Sequence, residues 1–172
     1  MTTPAASSGT TSAAPTPAPA PATTAPATKL SADTATSLQA ALAAEQVAVW
    51  AYDLVAAYDQ VDAALIATIR AGHLARRDAT ASQLVSGGST APIPAPAYSI
   101  PKPVTDQPTA RALATTVETD CATAWRVVIG TTDSTALRAT ALAGLSDSAV
   151  WLTQMKMAAK ATPVTVALPG VG

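Results

Sequence analysis

The chain has 172 residues, with 10 Lys and Arg against 11 Asp and Glu and a net charge of −1. Such a balance gives no electrostatic steering towards nucleic acid or an anionic membrane. One Cys excludes an intramolecular disulfide framework and a Cys-rich zinc site, and one His excludes every motif that needs two.

Alanine supplies 43 residues and Phe none, so the positive mean hydropathy comes mostly from methyl groups. No stretch of about 18 residues is both free of polar groups and rich in Leu, Ile or Val, so no membrane span is expected. The first residues have no basic region followed by an apolar one, so a secretory signal is not expected and a cytoplasmic location is. There is no GxSxG elbow, phosphate loop or HExxH.

Residues 1–28 carry no charge and six prolines, among Ala, Thr and Ser. They offer no periodic apolar face to offset the entropy of ordering them. A disordered tail with polyproline II bias is expected. Residues 29–162 then read as one domain of four helices, near 33–59, 61–86, 106–130 and 133–161, with 163–172 as a short C-terminal tail. Gly87 and Gly88 are suited to close the second helix and Gly130 the third. Asp106 with Pro108 in the first turn caps the third, and Thr132 or Asp133 the fourth. Short turns make the first two helices one antiparallel pair and the last two another.

Between the pairs, residues 87–108 hold six prolines. Helices of about 25 residues span about 38 Å, and an extended link of this length outreaches that. The strap should run the length of the bundle and lie on it through Tyr98 and Ile100. Two hairpins joined by one long crossover is the ferritin-like way to connect four helices, so the expected fold class is an all-α ferritin-like four-helix bundle.

A turn of 100° per residue sets the inner faces. Leu38, Leu42, Val49 and Tyr52 surround Glu45 on the first helix. Ile66, Ile69 and Leu84 share a face with His73 and Arg77 on the second, where Arg70 also lies and Arg76 is at the edge. Ala114, Val117, Cys121, Trp125 and Val128 form a stripe with Glu118 on the third. Leu142, Leu145, Ala149 and Leu152 form one with Arg138 on the fourth, with Asp147 turned away. Glu45, His73, Arg77, Glu118 and Arg138 thus interrupt an apolar interior. Buried charges must meet one another, a metal or water. A Glu45–Arg77 pair is expected at the centre. His73 reads as a hydrogen-bonded core residue, Cys121 as an inert small hydrophobe, and Trp50, Trp125 and Trp151 as large fillers. Asp53, Asp59, Asp62, Asp78 and Asp133 read as solvated or capping residues.

This frame resembles the di-iron and di-manganese carboxylate bundles, which place a Glu on each of two helices and Glu-x-x-His on the other two. Glu45, His73 and Glu118 echo it. It departs at Arg70, which stands where the first Glu-x-x-His has its Glu, and on the fourth helix, which lacks an inward ligand. Any metal would fall to Glu45, His73 and Glu118, yet three nearby arginines can supply the positive charge instead. The chain is also similar to an actinobacterial ferritin-like family of unknown function. The resemblance rests on LQAALAAEQVAVWAYDLVAAY (38–58), HLARRD (73–78), PAPAYSIPKPV (94–104) and VETDCATAW (117–125), with Arg138 downstream. It covers most of residues 34–157 and implies the bundle without naming an activity.

Two functional readings follow. The first is a non-catalytic interaction or scaffold domain without cofactor, acting as a homodimer or with a protein partner, its metal site degenerated into a buried Arg–Glu–His network. The alternative is an iron- or manganese-binding redox bundle. A third, small-ligand binding at the bundle centre, rests on the room that Ala-rich helices leave.

Overall fold

The computed structural model describes residues 29–100 and 102–171. The tail expected over residues 1–28 lies outside them. Four helices make up the described fold: α1 Ala32–Tyr58, α2 Ala63–Ser86, α3 Gln107–Thr131 and α4 Thr135–Ala158.

Three of the four starts have a side-chain cap. Ser31 caps α1 by accepting the Thr34 N–H. Asp106 caps α3 in a capping box with Thr109, with proline in the first turn. Such caps satisfy backbone donors that the helix itself leaves free. For α4 the cap is Ser134, which accepts from Leu137 N, rather than Thr132 or Asp133. The Thr132 hydroxyl instead accepts the Ser134 N–H and holds the turn.

The ends differ more from expectation. Gly88 has φ +76°. Its N–H bonds Val85 O while Ser89 N–H bonds Leu84 O, the paired closure that a left-handed residue permits. Gly130 has no such role: it is helical, and α3 runs on until Thr132 turns extended. Lys160 closes α4 in the left-handed region, at φ 53°.

The helices run up, down, down, up. At one end, Thr34 Oγ1 bonds Thr131 O at 2.9 Å and Leu30 N bonds Gly87 O at 3.0 Å. At the other, Gln107 Nε2 donates to Asp59 Oδ1 at 2.7 Å. The chain between α2 and α3 therefore crosses the whole bundle. It follows α1 on the way: Gln39 donates to Thr90 O, Gln46 to Pro92 O at 2.7 Å, and Trp50 meets Tyr98 edge-on at 5.7 Å. Val104 ends the strap buried against the core.

Backbones pack closely along α1–α2, α1–α3 and α3–α4, with no comparable contact between α2 and α4. Two buried clusters fill the interior. One holds Tyr52, Val55, Ile66, Ile69, Val117 and Met155. The other holds Leu38, Leu42, Leu84, Trp125, Val128 and Leu137. Full burial of each large side chain contributes about 1.5–3 kcal/mol. By length and composition α1 could cross a membrane, but half of its apolar window is buried in the bundle.

The face of α4 is rotated from the expected one. Leu137, Ala141, Gly144, Ser148, Leu152 and Met155 are buried, while Leu142 is 55 % exposed. The cause is Trp125. A methyl group on Gly144 would come within 2.8 Å of its indole, so α4 presents small residues to α3 and turns larger ones out.

Candidate functional site

The polar residues between the two clusters come from every helix. His73 of α2 lies between two carboxylates, with Nδ1 at 2.7 Å from Glu45 Oε2 of α1 and Nε2 at 2.9 Å from Glu118 Oε1 of α3. All three side chains are fully buried. Between two ionised carboxylates, which only accept, both ring nitrogens donate and His73 is the imidazolium, the state that its raised pKa favours. Burial pulls its pKa down, but the hydrogen bonds and charges of Glu118 and Glu45 outweigh that and hold it above the ordinary 6.5.

Each carboxylate has a further donor. Tyr52 OH gives its proton to Glu118 Oε1 at 2.6 Å, and burial beside Glu118 pushes that phenol well above its usual pKa. Trp125 Nε1 donates to Glu45 Oε1 at 2.7 Å. Glu118 Oε2 is buried with no partner.

The second cation is Arg76, not Arg77. Arg76 Nε donates to Glu45 Oε1 at 3.0 Å, and one terminal nitrogen lies 3.1 Å from His73 Nδ1. Its guanidinium stacks 4.4 Å over Trp151. It also reaches Gly144 O, Ser148 Oγ and Asp147 Oδ2 on α4. Arg76 thus bridges the side where α2 and α4 backbones stay apart. Gly72 makes room there, since a methyl group at that position would collide with the Trp151 ring.

Two expected members of the network lie elsewhere. Arg77 is turned to the neighbouring Asp78. Arg138 bends back to Thr132 O, the carbonyl at the end of α3, a favoured place for a cation. Arg70 pairs with Asp53 on the surface at 2.6 Å. The expectation failed on α2 because a 100° wheel weighs Cα directions only. The long arginine stem starts at the edge of the face and carries its charge inward.

The tryptophans are more than fillers, since Trp125 bonds Glu45 and Trp151 meets His73 edge-on at 4.9 Å. Cys121 is buried, and that burial lifts its thiol well above the usual pKa, as for an unreactive cysteine. Asp59 is the C-cap residue of α1, as a capping role requires, but it is not solvated. It is fully buried under Arg111, with Nε at 2.6 Å from Oδ2.

A dinuclear carboxylate centre does not fit these residues. Both nitrogens of the one His are engaged, and Glu45 already holds Arg76 and Trp125. The acidic residues of α2 and α4, Asp78 and Asp147, lie outside, on Arg77 and at the rim. Charges close without a metal: Glu45 and Glu118 against the imidazolium and the guanidinium. Surface cavities of about 410, 300 and 180 Å³ among the described residues are lined by other side chains.

Fold and site together define an all-α four-helix bundle with an internally neutralised polar centre. The chain belongs to the family described as "Domain of unknown function (DUF4439)", whose model matches residues 37–172. Among solved structures it is similar to a conserved hypothetical protein, rv2844, from Mycobacterium tuberculosis. Identity is 32% and the TM-score 0.73, over 76% of this chain and 99% of that one. No curated protein matches the chain.

Proposed function

We propose that this protein is a non-catalytic interaction or scaffold bundle of ferritin-like type, in which a charge-balanced Arg–Glu–His network stands where a metal centre would be. The observation that carries this reading is the saturation of His73, whose two nitrogens are each committed to a carboxylate. To bind a metal or move a proton, either nitrogen must first give up its carboxylate. The network also joins all four helices, which is what a stiff scaffold requires.

Its work then lies on the outside, with a second copy of the chain or a protein partner. Leu142, Val150 and Met157 of α4 are each more than half exposed, which supports an interaction role. Metal analysis of protein purified without a His tag tests the reading. Well under one equivalent of iron or manganese is expected. Near two equivalents, with absorbance that depends on oxygen, would establish the redox alternative instead.

A further inference from the structure

The ligand atoms of Glu45, His73 and Cys121 all lie within 4.8 Å of one another, and all three residues are buried. An oxygen, a nitrogen and a sulfur so gathered are a donor set for one zinc-like ion. The Arg76 guanidinium sits at this cluster, bonded to Glu45 Oε1 and 3.1 Å from His73 Nδ1. An ion bound to that nitrogen would need a bond of about 2.0–2.1 Å, which the guanidinium obstructs. Its positive charge repels a second cation as well.

Arg76 nevertheless has somewhere else to go. Its side chain is 15% exposed and already touches Asp147 at the rim. A swing towards Asp147 keeps one ion pair and uncovers Glu45. A divalent ion entering then displaces the proton on His73 Nδ1 and the thiol proton of Cys121, both lost to solvent. One dication replaces two protons, so the charge of the cluster is unchanged.

We propose that Arg76 is a tethered cation that occupies and closes a latent mononuclear seat for a zinc-like divalent ion, formed by Glu45, His73 and Cys121. This rests on reading the cluster as a metal-free network. The arginine acts as a built-in competitor, and the apparent affinity of the seat falls by the fraction of time that it is open.

The test is Arg76→Gln in the full chain, titrated with Co2+ and followed by thiolate-to-cobalt absorption, with zinc content measured after dialysis. The variant should bind one equivalent, about tenfold or more tighter than wild type. Adding Cys121→Ser should remove the thiolate band, and adding His73→Gln should remove binding. Arg76→Lys, which restores a cation, should bind more weakly than Arg76→Gln. A folded Arg76→Gln that takes up neither ion overturns the proposal, as does a wild type that binds equally well. If Arg76→Gln does not fold alone, one equivalent of Zn2+ during refolding should restore its helical signal, and failure to do so overturns the proposal too. An inert Arg76→Gln beside metal-free wild type sinks only this inference. Iron or manganese in the wild type as isolated sinks the functional reading.

Discussion

Two buried ion clusters sit in this bundle, about half a helix apart along α1. At the rim, Arg111 pairs with Asp59 and Asp62 and donates to Ala158 O at the end of α4. Gln107 and the Asp62 N–H add donors to Asp59. In the middle, Glu45, His73, Glu118 and Arg76 meet with one carboxylate oxygen left unpartnered. The rim cluster performs ordinary structural work: it ties four helix ends together and neutralises a helix C-terminus. The central one commits more charge, farther from water, for the same number of helices joined. Isolated buried charges are costly and break-even at best when paired, so stability alone does not account for four of them.

The contrast should show first in stability. Glu45→Ala leaves His73 and Arg76 without their shared counter-charge and Trp125 Nε1 without its acceptor, at a cost of about 3–5 kcal/mol in urea denaturation. Glu45→Leu with Arg76→Met should recover part of that, and the double-mutant cycle should show coupling of about 0.5–3 kcal/mol. Coupling near zero would separate Arg76 from the network. At the rim, Arg111→Ala should cost less, about 1–3 kcal/mol, because Gln107 and the Asp62 N–H still reach Asp59. Equal losses would erase the distinction between the two clusters.

The two clusters should also fail at opposite ends of the pH scale. Burial alone would raise the Asp59 pKa, but hydrogen bonds from Arg111 and Gln107 hold it below 3.8. Its contribution is therefore present above that value and lost as pH falls through the lower, folded one. His73 is shifted up from 6.5, so its contribution is complete below 6.5 and lost as pH rises through the folded value. Urea midpoints measured against pH should lose their acid limb in Asp59→Asn and their alkaline limb in His73→Gln. The exchange of these limbs between the two variants would refute the assignment. The smallest effect belongs to Arg77→Ala, within about 0.5 kcal/mol of wild type, since Arg77 only pairs with its exposed neighbour Asp78.

Much of this was legible in the sequence. Helix starts at Asp106 and Pro108, the Gly88 closure and the length of the Pro-rich strap gave the bundle its connectivity. Periodicity brought Glu45, His73 and Glu118 to one interior, because each lies among large apolar neighbours on its own helix. Arg76 was obscured by its place at the edge of the α2 face, where side-chain reach rather than backbone direction decides. The buried face of α4 was obscured for a different reason. Its contact residues are Ala141, Gly144 and Ser148, chosen small to admit Trp125, and a search for large apolar residues selects Leu142 instead. Asp59 carried no local signal at all, since its partner Arg111 is 52 residues away.

At the centre of the bundle a charged imidazole is clamped between two carboxylates. The chain has one His, so nitrogen NMR of its ring needs no assignment. At pH 6.5, where an ordinary His is half protonated, His73 should be mostly protonated on both nitrogens and should lose the proton only above that value. A single tautomer with one bare nitrogen, or a titration midpoint at or below 6.5, would contradict the account.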